Sequence, residues 1–311
     1  MNSLIENSIV LSVFKPNMSL LDQMITSLEN QTCKSTLYVR CDEEPNDLSS
    51  YSSLFENMKV NYESDVAHYG HALSYSYLLQ RVDGTLIHFA DQDDYWFPEK
   101  TARAVEILGS EEAIKLSYCR YEKNILGRRI RRKQIRNSSN SKITFIFRNK
   151  VPGCTMSFTR ETNLLYREVV KNFENIKHHD WLMILIASLY GTVISDKYLG
   201  VRYNVHKNNA IGIPSLKKKA EKYFHQIHVS ETCPYWVLQG RAILKSIVIS
   251  NLNTVFLESC ISKHSKSRLD RIRFLLINKP LNSSFIDIFY LVALFVIPKK
   301  CSSCGGESRY V

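Results

Sequence analysis

The chain has 311 residues, 44% of them hydrophobic, with a formal net charge of +11 and a pI near 9.2. That length buries a core in one large domain or two small ones, and no apolar run reaches the ~18 residues that a membrane-spanning helix needs. The basic balance implies an anionic partner: nucleic acid, a phosphate-bearing substrate or an acidic membrane surface. The eight cysteines are scattered and form no framework, and the first residues lack a basic region followed by an apolar one. Reduced thiols and a cytoplasmic protein, soluble or peripherally attached, are the expectation.

Residues 8–130 read as alternating strands and helices. Ile9–Phe14 is a short apolar strand, and Ser19–Gln31 places Leu20, Leu21, Met24, Ile25 and Leu28 on one helical face. Leu37–Arg40 is a second strand, ending in the polar turn that holds Asp42. Val60–Tyr62 reads as a third strand, Gly70–Gln80 as a helix, and Thr85–Ala90 as a buried strand. This βαβ rhythm with short loops predicts a parallel sheet covered by helices on both faces.

The run 128–136 carries six positive charges and predicts a hairpin or a solvated loop. Beyond it come the turn Val151-Pro152-Gly153-Cys154-Thr155, a short strand at Met156–Phe158, a uniformly apolar helix over Trp181–Tyr190, and strands at Thr192–Ile194 and Leu199–Tyr203. From about residue 215 lysines and arginines interleave with helical apolar positions. The division expected is therefore a 1–214 domain and a helical, basic 215–311 region. Its segment 285–297 is apolar apart from Asp287 but too short to span a bilayer; it suits either an interfacial helix or a helix packed on the main domain. Cys301 and Cys304 form one isolated pair, too few ligands for a zinc site. No nucleic-acid-reading module is present, so nucleic acid is not the expected partner.

The most informative stretch is Asp91-Gln92-Asp93-Asp94-Tyr95-Trp96, directly after the strand at 85–90. In an open α/β sheet, ligands bind in the crevice at the carboxyl ends of the strands. Carboxylates crowded there repel one another unless a proton or cation offsets them, and a hard divalent ion carrying a diphosphate does so. An acidic turn capping the helix near Pro98 is the alternative.

Five segments, in order, carry a resemblance: Ile9–Asn17, Ser27–Thr32, Asp91–Pro98, His178–Trp181 and Val201–Asn209. Over residues 9–212 the chain resembles the inverting nucleotide-sugar glycosyltransferases of family 2, bacterial polysaccharide type, especially the branch that includes rhamnosyltransferases. The resemblance implies a GT-A-type fold: a mostly parallel sheet flanked by helices, with a Rossmann-like nucleotide-binding half, here followed by the helical basic extension. It implies Mg²⁺ or Mn²⁺ as cofactor and a nucleoside-diphosphate sugar as donor. A lipid-linked (polyprenyl) or growing polysaccharide acceptor at the inner face of the cell membrane completes that picture.

Role by role, the resemblance places Val13, Lys15 and Asp42 at the nucleoside. The family's usual Thr-Tyr-Asn is replaced by Val13-Phe14-Lys15, and Lys15 would instead reach a phosphate. Asp93 would hold the ion, Asp91 the ribose or a metal-bound water, and Asp94 the sugar or a supporting partner. Asp180 would be the catalytic base, Gly153 would line the sugar and acceptor pocket, Arg202 would contact the diphosphate, and His206 would be a further metal ligand. Two other functions compete. A nucleotidyltransferase would carry a Gly-rich loop after the first strand, where Lys15-Pro16-Asn17 stands. A basic binding protein without catalysis would have no use for Asp93 and Asp180.

Overall fold

The computed structural model describes residues 5–42, 59–63, 68–109, 113–125, 128–131, 142–147, 149, 151–173, 176–205, 235–247, 252–264 and 268–277. Contacts divide the chain into two units, 1–136 with 150–209, and 137–149 with 210–311. His206, the 285–297 segment and the Cys301/Cys304 pair lie outside the described residues.

The first unit is a mixed sheet. Its strands are β1 (Asn7–Val13), β2 (Thr36–Cys41), β3 (Val60–Glu63), β4 (Leu86–Ala90), β5 (Tyr95–Trp96), β6 (Lys115–Ile125), β7 (Arg128–Arg131), β8 (Met156–Thr159) and β9 (Thr192–Val205). They lie in the order β3-β2-β1-β4-β8-β6-β9-β5, with β7 paired to β6. Pairing is parallel through β3-β2-β1-β4 and again between β6 and β9. β8, β5 and β7 pair antiparallel. The parallel pairing expected from the βαβ rhythm runs through the first half, where one helix joins β1 to β2 and another joins β3 to β4, and returns in the long β6–β9 pair. Every residue of β1 and β4 is buried, as a strand covered on both faces requires.

The helices of this unit are α1 (Met18–Glu29), α2 (His71–Leu79), α3 (Lys100–Leu108), α5 (Arg160–Val170) and α6 (His179–Tyr190). Helix α1 starts where the Asn17 side chain accepts a hydrogen bond from the Leu20 N–H, and it buries Leu21, Met24, Ile25 and Leu28. These pack with Ile9, Leu11, Val13, Leu37, Val39 and Trp96 in one core. Helix α6 is apolar on all sides, with Leu182 to Leu189 buried, so it is an interior helix. Thr192–Val205 forms a single strand where two were expected; the polar Ser195-Asp196-Lys197 is accommodated by register shifts against β6 between Tyr118 and Tyr121.

The second unit contributes α4 (Lys142–Phe147), α7 (Tyr235–Ser246), α8 (Leu252–His264) and α9 (Arg268–Ile277). Phe147 meets Trp236 edge-on at 4.8 Å, and Gly240 of α7 lies so close to Leu257 and Ile261 of α8 that a methyl group would collide. Among the described residues no helix is long and apolar enough to cross a membrane.

Candidate active site

The parallel strands β1, β2 and β4 end on the same side of the sheet, and Asp42, Asp91 and Asp94 follow β2 and β4 there. Asp91 follows β4 immediately. A turn closed by the Asp94 N–H on the Asp91 carbonyl (3.4 Å) brings those two residues together, as i and i+3 neighbours do. Asp94 is 1% exposed; its Oδ1 accepts a hydrogen bond from the Asn204 N–H at 2.9 Å. Its Oδ2 is buried with no nitrogen or oxygen donor, and the carboxyl accepts its side-chain hydrogen bond from the Cys154 thiol. Burial, and then the charges of Asp91 and Asp93, push the Asp94 carboxyl well above the usual range. Asp91 accepts from the Tyr75 hydroxyl at 3.2 Å.

Asp93, assigned the ion on the basis of the resemblance, lies between them in the same turn. Its carbonyl accepts from Asn204 Nδ2 at 2.7 Å, and Asn204 Oδ1 accepts in turn from Asn124 Nδ2 at 2.8 Å. Three donor atoms that a cation could share, from Asp91, Asp94 and Cys154, all lie within 4.8 Å of one another. Two ligands opposite each other at ~2.3 Å from an ion are about 4.6 Å apart, so this set fits a single divalent ion. The uncompensated Asp94 Oδ2 gives that ion something to neutralise.

Cys154 arrives from the short 3-10 turn Gly153–Thr155, pinned by the Thr155 N–H and hydroxyl donating to the Pro152 carbonyl at 3.1 and 2.7 Å. Gly153, one residue earlier, faces Asp180. A Cβ there would stand 3.3 Å from the Asp180 Cβ and 3.5 Å from His179 Nε2. Gly153 therefore permits a close approach that any side chain would disturb. One four-residue segment thus abuts both the acid cluster and Asp180.

Asp180 sits in the first turn of α6, half-buried, with Oδ1 accepting from the Trp181 N–H at 2.8 Å. Burial pushes its pKa up to about 6, and the charge of Asp91 adds to that. His179 is buried and holds its place through rings: it stacks on Tyr75 at 4.1 Å and meets Phe89 edge-on at 4.8 Å. Burial, then the neighbouring His71 and His178, lower its pKa well below the ordinary value, so it is neutral. Tyr75 therefore touches Asp91 at its hydroxyl and the residue before Asp180 with its ring.

At the end of β2 the Asp42 carboxylate, expected at the nucleoside, is held by partners within the protein. It is 1% exposed and takes hydrogen bonds from the Arg40 guanidinium and from the backbone N–H groups of Tyr69 (2.9 Å) and Gly70 (2.8 Å). His68 Nδ1 lies 3.0 Å from its Oδ2. Gly70, at φ 76°, is in the left-handed region that glycine enters freely, and it caps α2 there. Burial alone would raise the Asp42 carboxyl, but Arg40 and the Tyr69 N–H bring it below the usual value. These bonds fix the Asp42 carboxylate at the end of β2, beside His68 and the turn that follows Val13.

Val13 is buried at the end of β1, its carbonyl accepting from the Asp42 N–H at 2.7 Å. Phe14 and Lys15 follow in the open. Phe14 is 41% exposed and lies 5.0 Å from the His68 ring, and Lys15 adopts φ 41°, rare for a residue with a Cβ. Gln92 locks this turn to the acid loop: its Oε1 accepts from the Phe14 N–H at 2.7 Å and its Nε2 donates to the Phe14 carbonyl at 2.9 Å. Arg202 is held by Glu122 (2.8 Å) and lies over the rings of Tyr95 and Phe97. Its described partners do not include the acid cluster, so the geometry does not join it to the expected diphosphate contact.

Sequence reasoning passed over Gln92, Tyr75, Asn204 and Lys100. Only Gln92 and Asn204 sat inside recognised segments; the partners of Tyr75 lie on other elements. Lys100 is 2% exposed, its Nζ 3.4 Å from the Trp96 ring centre with no hydrogen-bond partner, and burial lowers its pKa to about 8.

No family model matches the chain. A curated relative, the dTDP-rhamnosyl transferase RfbG of Shigella flexneri, is 29% identical over 138 residues, 40% of this chain and 45% of that protein; the match spans less than half of the relative's length. Residues 1–349 of S. aureus TarS in complex with UDP-GlcNAc superpose with a TM-score of 0.51 at 12% identity, covering 93% of this chain and 90% of TarS 1–349. GalNAc-T7 with UDP, GalNAc and Mn²⁺ gives a TM-score of 0.54 at 9% identity, covering 91% of this chain and 59% of GalNAc-T7. At such identities the likeness is one of fold. The fold is the GT-A type of glycosyltransferases, a mixed α/β sheet flanked by helices.

Proposed function

We propose that the chain is a metal-dependent inverting glycosyltransferase acting on a nucleoside-diphosphate sugar. The observation that carries this reading is the pairing of an uncompensated buried acid cluster, Asp91 with Asp94, and a separate half-buried carboxyl, Asp180, whose pKa is raised to about 6. Both lie around the same turn, 152–155.

Asp91 and Asp94 would hold Mg²⁺ or Mn²⁺, which when bound offsets the charge that builds on the leaving diphosphate. The exposed Phe14 ring beside His68 offers the nucleobase a stacking surface, and Lys15 in the same turn offers its ammonium to a phosphate. Asp180 would accept the proton of the acceptor hydroxyl as that oxygen attacks the anomeric carbon from the face opposite the diphosphate. Attack from that side inverts the anomeric centre. A carboxylate with pKa near 6 is half-protonated close to working pH, where a general base is effective. Tyr75 and the neutral His179 keep the base and the acids in fixed relation.

The likeness to RfbG supports a dTDP-linked deoxysugar such as rhamnose as donor, and polysaccharide synthesis as the setting. A lipid-linked or growing polysaccharide acceptor suits the net charge of +11 and peripheral attachment to an anionic inner membrane face. The test is nucleoside diphosphate release from a panel of nucleotide sugars with Mn²⁺ or Mg²⁺. Release from one donor, abolished by EDTA and by Asp180→Asn, supports the reading. Absence of release across the panel, with no thermal shift on adding any nucleotide and ion, contradicts it.

A further inference from the structure

Resting on the ion-dependent reading above, we propose that the Cys154 thiolate is a protein ligand of the divalent ion alongside Asp91 and Asp94. The site would then favour borderline and soft cations over Mg²⁺. Three observations converge on it. Cys154 is fully buried, so its sulfur meets no water, and it offers a donor atom within 4.8 Å of donors from both acids. The turn that presents it is fixed on both sides, by the Thr155 bonds to Pro152 and by the pairing of β8 with β4 and β6. Asp94 Oδ2, in the same cluster, is buried without a nitrogen or oxygen donor, and the side-chain hydrogen bond between Asp94 and Cys154 brings the sulfur directly against this carboxyl.

Ligand chemistry then sets the preference. Mg²⁺ takes oxygen donors in near-ideal octahedral geometry, whereas a thiolate is a soft donor suited to Zn²⁺, Cd²⁺ or Co²⁺ and tolerated by Mn²⁺. Two carboxylates and a thiolate form a mixed set that Mg²⁺ fills poorly. The remaining coordination positions would be left to the diphosphate. Packing alone also explains a buried cysteine, since Cys154 belongs to the apolar core with Val13, Ala90 and Trp96. A probe that reads sulfur–metal bonding directly separates these two roles.

The experiment uses the full chain with Cys301 and Cys304 both changed to Ser, which removes the one closely spaced cysteine pair. Co²⁺ titration is expected to produce a thiolate-to-cobalt charge-transfer band in the near ultraviolet. Cys154→Ser is expected to abolish the band and to lower Cd²⁺ affinity at least about tenfold, while Mg²⁺ affinity changes less than about threefold. ¹¹³Cd NMR of the unsubstituted Cys154 protein reads the same ligand without relying on the variant's folding: a resonance shifted towards thiolate ligation is expected. A ¹¹³Cd shift typical of oxygen ligands alone, or a cobalt band that survives in folded Cys154→Ser, overturns the proposal. Donor release measured in parallel keeps the two readings apart. Ion-stimulated release without any thiolate signal refutes Cys154 as a ligand and leaves the transferase standing. A thiolate signal with no release on any donor does the reverse.

Discussion

Two strand ends of one sheet, those of β2 and β4 on either side of β1, carry buried aspartates and treat them in opposite ways. At the end of β2, Asp42 is matched by Arg40, by the N–H groups of Tyr69 and Gly70, and by His68, and its carboxyl is held below the usual range. At the end of β4, one strand beyond β1, Asp94 is equally buried but no salt bridge reaches it or Asp91 among the described residues; its carboxyl is pushed well up. On the proposed reading, Asp42 is supplied with its counter-charge by the chain, while Asp94 and Asp91 are left for a ligand to complete. Burial alone does not distinguish them, and the partner list does.

The largest expected effect falls on the working side. Asp180→Asn lowers donor turnover by about 10²–10⁴-fold, the usual worth of a general base, with little change in melting temperature. An equal loss of stability and activity would instead place Asp180 in a capping role. On the structural side, Asp42→Asn strands the buried Arg40 guanidinium and is expected to cost roughly 3–5 kcal/mol of stability, read from denaturant unfolding. Loss of nucleotide affinity in a variant of undiminished stability would place Asp42 at the nucleoside site and break the comparison.

Smaller effects sharpen it. Gly153→Ala places a methyl group 3.3 Å from the Asp180 Cβ, which must give by a few tenths of an ångström. Turnover is expected to fall up to about tenfold through misplacement of the base, with stability nearly unchanged. The two acids also predict opposite pH responses. Asp180, raised to about 6, is active when deprotonated, so turnover rises with pH to a plateau above that value. In the metal-free protein the same group lowers stability as pH rises from the unfolded carboxylate value through about 6, because the folded state binds the extra proton. Asp42, lowered, contributes stability that is present above the unfolded value and is lost as pH falls through its folded pKa. Lys100→Met, which replaces an unpartnered buried ammonium over Trp96, is expected to raise stability by about 1 kcal/mol.

Local pattern made the working side readable and hid the structural one. Asp91, Asp94 and Asp180 stand beside strongly apolar runs, so the ends of β4 and the start of α6 were evident from periodicity, and with them the acids. Apart from Arg40, two residues from Asp42, the partners of Asp42 and Arg202 were not. Gly70 is 28 residues from Asp42, and Glu122 is 80 residues from Arg202, so only the folded sheet pairs them. Strand β6 escaped notice because Lys115–Ile125 mixes charged and apolar residues, although it is an interior strand that pairs with three others. Helix α5 escaped because two of its buried positions, Thr162 and Asn163, are polar. In the sequence Cys154 is just one residue of the turn 151–155. Its proximity to Asp91 and Asp94 joins residues about sixty apart in sequence, which spacing cannot reveal.

The central claim is that the acids at the end of β4 await a cation while Asp42 already has its own. The most direct test is the melting temperature of the wild type and of Asp94→Asn, each with and without Mn²⁺. The account predicts that Mn²⁺ raises the melting temperature of the wild type and not of the variant, and that without metal the variant melts at or above the wild type, since it lacks the uncompensated acid. A variant that melts well below the wild type without metal, and responds to Mn²⁺ as the wild type does, would contradict it.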